Sequence, residues 1–253
     1  ALRPYPQYLS VQSLFAGFGR SWYDALQLKV ERRFGGFQLL TNYTWSKNLD
    51  IGHYRQVFGQ IGSPGATPQD YYNIKDSKSF SNMDIPHVFN VLLSYDLPFG
   101  KGKKWLSQRN SFVNAAVGGW TIASADVYRK GTLIWLNTPG NPLGNGVLFS
   151  QVTKANVGTG PIRTGIDRTT LDPNNPNTRW FNAAAFTAAP QYTLGNAAFY
   201  YNDFRQPAVF TENFSIVKRT TLVANDKNPI VLTYRAEAFN AFNRTNFGGV
   251  VGT

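Results

Sequence analysis

Apolar and polar residues alternate along this chain with a period of two. Between Trp22 and Phe34, Leu26, Leu28 and Val30 alternate with Gln27, Lys29 and Glu31. After Gly35-Gly36 the alternation resumes. Phe37, Leu39, Thr41, Tyr43 and Trp45 occupy one side, and Gln38, Asn42, Thr44 and Ser46 the other, with Leu40 the one apolar intruder. Period two marks strands rather than helices. Two such runs joined by Gly-Gly predict a tight hairpin, because glycine accepts the positive φ of a two-residue turn. The expected register sets Phe34 against Phe37, Val30 against Thr41, Leu28 against Tyr43 and Leu26 against Trp45. The last three pairs should share one face.

The pattern recurs downstream. Phe89, Val91, Leu93, Tyr95 and Leu97 form one side of a further strand, closed by a turn at Pro98-Phe99-Gly100-Lys101-Gly102. A strand pair is expected over 119–137, bent near Gly131, its facing contested between Trp120 and Ile122 on one side and Ala123, Ala125 and Val127 on the other. Phe214, Ile216 and the polar Lys218 start another strand, with a turn at 224–229. Ile230, Leu232, Tyr234, Ala236 and Ala238 then alternate with Thr233, Arg235 and Glu237. Residues 47–84 and 138–207 are rich in Gly, Pro, Asp and Asn and read as two long loops.

The expected fold is therefore all-β: an antiparallel meander of roughly eight long strands, in one domain over residues 1–253, with short turns at one side and long loops at the other. That asymmetry marks outer-membrane-type barrels. Strand length agrees. From Trp22 to Phe34 the chain spans roughly 40 Å at about 3.3 Å per residue, enough to cross a hydrocarbon core even when tilted. Leu26, Leu28, Phe89, Val91, Leu93, Leu232 and Tyr234 should form the outer face, and Gln27, Lys29, Asn90, Ser94, Arg235 and Glu237 the inner one. Tyr43, Trp45 and Tyr95 away from the short turns, with Phe34 and Phe37 beside one, suggest two aromatic girdles.

Composition supports a barrel wall. Aromatics are 15% of the chain and charged residues also only 15%, where about 25% is ordinary for a soluble domain. The net charge of +11 suits anionic lipid or an anion-attracting lumen. The basic residues are dispersed, apart from Lys101, Lys103 and Lys104, so no nucleic-acid partner is expected. Cysteine is absent, which excludes disulfides and thiolate sites. No apolar run reaches the length of a membrane helix. No signal peptide is recognisable at the first residues.

Catalytic chemistry finds no foothold. The two histidines, His53 and His87, lack ligand-spaced neighbours, and no nucleophile elbow or Walker loop is present. No enzyme activity, cofactor, metal site or catalytic residue is expected. Arg235 with Glu237, and Lys29 with Glu31 and Arg33, fit structural ion pairs of a polar lumen better than solute-binding groups. Asn42-Tyr43-Thr44 and Asn243-Arg244-Thr245 match the glycosylation pattern, which is common by chance.

Several segments, taken in order, carry a family likeness. The stretch from Arg235 to Phe247 (Arg-Ala-Glu-Ala-Phe-Asn-Ala-Phe-Asn-Arg-Thr-Asn-Phe) resembles a signature near the C-terminus of TonB-dependent receptors with an N-terminal carboxypeptidase-regulatory-like domain. Residues 43–50 (Tyr-Thr-Trp-Ser-Lys-Asn-Leu-Asp), residues 94–103, Gly118-Gly119-Trp120 and Leu194-Gly195-Asn196 are similar to further motifs of that subfamily. The resemblance implies the C-terminal part of a 22-stranded outer-membrane barrel that takes up a solute and is driven through TonB. Its partners would be outer-membrane lipid and the remainder of the receptor chain. No plug or TonB box is recognisable, and Gly252-Thr253 falls where the family continues into a last strand, so gated uptake is not expected of this stretch alone. The alternative expectation is a structural subunit, in which identical copies pair through edge strands into an extracellular filament or tube.

Overall fold

The computed structural model describes residues 7, 19–51, 69–70, 72–107, 110–136, 154–167, 170–172, 174–223 and 230–246. In chain order the elements are β1 (Arg20–Phe34), β2 (Phe37–Ile51), β3 (Ser79–Phe80), β4 (His87–Asp96), α1 (Ser111–Val117), β5 (Trp120–Arg129), β6 (Asn156–Val157), β7 (Phe186–Thr187), β8 (Val209–Val223) and β9 (Ile230–Ala238).

Six of these strands form one antiparallel meander in the order β1-β2-β4-β5-β8-β9, with β3 paired beside it on β2. Among the described residues the sheet is open, with β1 and β9 as its two margins. The first hairpin has the expected register, with Phe34 opposite Phe37, Leu28 opposite Tyr43 and Leu26 opposite Trp45. Gly35 and Gly36 make this possible with φ of +52° and +87°, which side chains disfavour. The 224–229 turn and His53 lie outside the described residues.

Register carries one face across all six strands. Leu28 meets Tyr43, Tyr43 meets Phe89, and Phe89 meets Tyr128, whose partner is Phe210. By the same ladders Leu26, Val91, Leu93, Leu232 and Tyr234 share this face. Gln27, Lys29, Asn90, Ser94, Arg235 and Glu237 share the other. Leu26, Leu28, Leu232 and Tyr234 are each about half exposed. Few buried apolar residues lie on the sheet. The dry cluster is instead in the loops, where Leu133, Phe199 and Tyr200 pack with Phe80 and Trp135.

Several expectations are corrected or completed. Residues 119–137 supply one long strand rather than a pair: β5 ends at Arg129, and Leu133 bridges to Arg205 in the loop layer. Gly131 permits this crossing, because a Cβ there would collide with the Gln206 carbonyl. Among the described residues six long strands are present, where roughly eight were expected for the chain. The facing of β5 is resolved by register, with Trp120, Ile122, Ser124, Asp126 and Tyr128 outward, and Ala123, Ala125 and Val127 inward. The loop expected from Lys47 begins later, since β2 runs to Ile51 and pairs with β3 through Leu49–Phe80 and Asp50–Ser79. The alternation fades after Trp45, but the backbone ladder does not depend on it. The helix α1 was not anticipated. Its Asn110 cap, which accepts a hydrogen bond from the Val113 amide at 3.0 Å, lies in a segment that reads as a turn.

Candidate functional site: the concave face and its loop cap

The inner face lines a cavity of about 640 Å³, with Lys29, Glu31, Arg33, Gln38, Ser94 and Glu237 among its walls. Strand alternation places these side chains there, since every second residue of β1, β2, β4 and β9 points inward. Glu31 lies between two cations, 3.2 Å from Lys29 and 2.8 Å from Arg33. Arg235 sits 3.4 Å from Glu237. All five remain exposed, so the pairs keep charge solvated rather than rigid. Leu40 and Leu92 are register partners on this face, which gives the polar wall one apolar spot.

The outer face bears two aromatic rows. Phe34, Phe37 and Tyr95 touch at the short-turn end, with ring centroids 5.2 and 6.3 Å apart. Tyr43, Phe89, Tyr128 and Phe210 run across four strands at the long-loop end, with neighbouring centroids 5.9–6.5 Å apart. From Phe37 to Tyr43 the rows stand roughly 20 Å apart along β2, at about 3.3 Å per residue. Tyr95 thus belongs with the short-turn girdle, not with Tyr43 as expected, because β4 runs opposite to β2. His87 is the register partner of Trp45, and its Nδ1 meets the Tyr43 hydroxyl at 2.9 Å.

Two carboxylates interrupt this outer face. Asp126 and Glu212 are direct cross-strand partners. Arg244 reaches Glu212 at 3.1 Å, while Ser124 donates to Asp126 at 2.5 Å. The segment carrying Arg244 folds back along β8. The Ala241 amide donates to the Glu212 carbonyl at 2.8 Å, and the Asn246 side chain exchanges two hydrogen bonds with the Phe210 backbone. Asn240, with φ of +48°, both accepts from and donates to the Arg244 backbone. The 235–246 part of the motif thus finishes β9 and then turns back to cover the upper part of β8.

Other motif residues tie the loops down. The Asn48 amide donates to Asp84 at 2.6 Å, and Ser46 bonds to the carbonyls of Ile85 and Pro86. Asp84 forms an ion pair with Arg205, both fully buried. Gly195 exchanges two hydrogen bonds with the Gln69 side chain, which also receives the Lys154 amide. The Lys154 ammonium reaches Asp76 at 2.5 Å. Arg163 lies over Trp180 and Phe181 and donates to the Asp203 carbonyl at 2.9 Å. Burial lowers the Arg163 guanidinium from its ordinary pKa, although the nearby Asp203 opposes this. The result is a loop cap held by buried charge pairs that sequence spacing could not reveal, since each joins distant residues.

A wall with polar residues inward, apolar residues outward and an aromatic row near each end has the cross-section of a membrane barrel. The family model for an outer membrane beta barrel domain matches residues 1–253. The chain belongs to that family. Its place is the outer membrane, and its long strands are barrel wall. No curated protein and no solved structure matches the chain. Among the described residues, no cluster of three or more metal-ligating side chains is present.

Proposed function

We propose that this barrel domain belongs to a TonB-dependent receptor that takes up a solute across the outer membrane, and that it is not catalytic. The observation that carries this reading is the charged, water-accessible cavity against the inner face, walled by Lys29, Glu31, Arg33 and Glu237. A lumen lined by solvated ion pairs offers both signs of charge and many hydrogen-bond partners to a polar solute. The ordered motifs from Tyr43 to Phe247 support the same subfamily. Residues 46–48, Gly195 and the segment 239–246 each fix a loop or a strand end, as a shared scaffold requires. In this reading the rest of the receptor chain completes the barrel, and TonB acts through another part of it. The test is uptake by cells producing the intact receptor. Accumulation of a polar solute that depends on both the receptor and TonB is expected. Uptake unchanged by loss of TonB contradicts the TonB-driven reading.

A second reading, a self-assembling structural subunit, is favoured by the margins of the sheet. Among the described residues the meander has an even number of long strands, so β1 and β9 run in opposite directions and suit antiparallel pairing between copies. One register sets Glu31 opposite Arg235 and Lys29 opposite Glu237, with Val30 and Ala236 together on the outer face. Shifting it by two residues either way places like charges opposite, which is unfavourable. Cross-linking of Glu31→Cys to Arg235→Cys between copies supports this reading. Strictly intramolecular partners for both margins exclude it.

A further inference from the structure

We propose that helix α1, together with the lysine-bearing turn over residues 97–107, is a membrane-interface anchor that rests on a leaflet bearing anionic phospholipid headgroups. Both lie at the short-turn end, where the Asp96 amide donates to the Gly36 carbonyl and the Leu97 amide to the Trp120 carbonyl. In outer-membrane barrels the short turns face the periplasm.

The exposed side of the helix is apolar, although Val113 and Val117 already lie half-buried beneath it. Its exposed stripe is Phe112, Ala115 and Ala116, at the i, i+3, i+4 spacing of one face. Phe112 is 84% exposed. The polar Asn114 turns inward instead, where its side chain accepts the Lys101 amide at 2.5 Å. A water-facing helix normally shows the reverse arrangement.

The helix is also fixed to the lipid side of the wall. Trp120 and Lys218 are register partners on the outer face. The Trp120 indole donates to the Ala116 carbonyl at 3.0 Å, and the Lys218 ammonium donates to the Gly118 carbonyl. The apolar stripe therefore continues the outer surface of Trp120, Ile122 and Ile216. Beside it stand Lys101, Lys103 and Lys104, all exposed, together with the half-exposed Trp105. Asp96, 3.7 Å from Lys103, is the acidic residue among them. A short apolar helix face with flanking lysines and an interfacial tryptophan matches the chemistry of the headgroup region. Each lysine held near an anionic surface favours contact by about fivefold. A water-soluble protein partner would cover the stripe without requiring continuity with the lipid-facing wall.

These 253 residues hold no cysteine, so a single introduced thiol reports on its own position within them. The intact receptor carrying Phe112→Cys as its one reactive thiol is labelled with an environment-sensitive fluorophore. It is folded into phosphatidylcholine vesicles with and without phosphatidylglycerol, and folding is checked by heat-dependent gel mobility. Lipids with a spin label high on the acyl chain serve as quencher. Ile122→Cys on the outer face and Tyr72→Cys in a loop are the positive and negative controls. The anchor predicts that the Phe112→Cys label is quenched like the Ile122→Cys label in anionic vesicles, and several-fold less in neutral ones. Converting Lys101, Lys103 and Lys104 to Gln together removes that lipid dependence. Quenching equal in both vesicles overturns the anionic-headgroup part. A label that stays as accessible to aqueous iodide as at Tyr72→Cys, or one shielded from iodide yet not quenched by lipid, overturns the anchor.

Discussion

Asp84 and Arg205 stand 121 residues apart in sequence and form an ion pair with side-chain exposures of 1% and 0%. Arg205 also donates to the Asp84 and Asn202 carbonyls, so its guanidinium is satisfied on several sides. The pair joins the root of the first long loop, beside β2, to the end of the second. Removing one partner leaves a buried charge alone, which typically costs about 3–5 kcal/mol. Arg205→Ala should therefore loosen the loop cap. Limited proteolysis should then cut within 72–86 and 195–207, while β1, β2 and β4 stay protected. Unchanged loop protection would mean that the pair is not a fastening.

The Gly35-Gly36 turn sets the register of the first hairpin. At Gly36 an added Cβ would lie 3.1 Å from the Asp96 Cβ, at a φ of +87°. Gly36→Ala should destabilise the hairpin by about 1–2 kcal/mol, from the left-handed strain alone. Gly102, also at positive φ but with nothing near its Cβ position, isolates the steric part. The check is unfolding of both variants in denaturant from a lipid or detergent host. A larger loss is expected for Gly36→Ala than for Gly102→Ala.

Hydrophobic alternation made much of this legible. Leu26, Leu28 and Val30 defined a face before any partner was known, and the hairpin register followed from the turn. The alternation stopped being informative where a backbone is paired but its side chains face loops, as from Lys47 to Ile51. It misread 119–137, because Leu133 and Trp135 are apolar for packing in the loop cap rather than for a strand face. Asp84, Lys154 and Arg205 carry no local signal, as their partners lie far away in the chain. Helix α1 was obscured for a different reason. Its apolar stripe is only three residues long and lies between lysine-rich and glycine-rich turns.

Glu31 is the carboxylate between Lys29 and Arg33 on the inner face. Glu31→Gln leaves those two cations without their shared partner. In planar bilayers the conductance of the reconstituted receptor should shift towards anions, with a smaller change for Glu237→Gln, whose single cation is Arg235. The shift should shrink at high salt, because screening shortens the reach of exposed charges. No change in ion preference for Glu31→Gln would place this residue outside the permeation path.

Arg244 is the cation that meets Glu212 on the outer face. The Glu212 side chain is 2% exposed, whereas that of Arg244 is 48% exposed. Arg244→Ala should release the turn from Asn240 to Asn246 and raise amide exchange at Phe210 and Glu212. Glu212→Gln should restore much of the lost stability in the Arg244→Ala background, since a neutral amide is cheaper to bury. If the double variant is no more stable than Arg244→Ala, the carboxylate is not what the arginine serves.

The account rests most heavily on the two faces of the sheet, and alternation of solvent along a single strand reads them directly. Cysteines placed one at a time at Leu26, Gln27, Leu28, Lys29, Val30 and Glu31 of β1, and at Leu232, Thr233, Tyr234 and Arg235 of β9, meet no native thiol background. In bilayers, a membrane-impermeant thiol reagent should label Gln27, Lys29, Glu31, Thr233 and Arg235 positions rapidly. Labels at Leu26, Leu28, Val30, Leu232 and Tyr234 should instead be quenched by spin-labelled lipid. A period of two in both readouts, in opposite phase, is the predicted result. Uniform labelling along either strand, or the reverse phase, would contradict the assignment of this sheet as barrel wall.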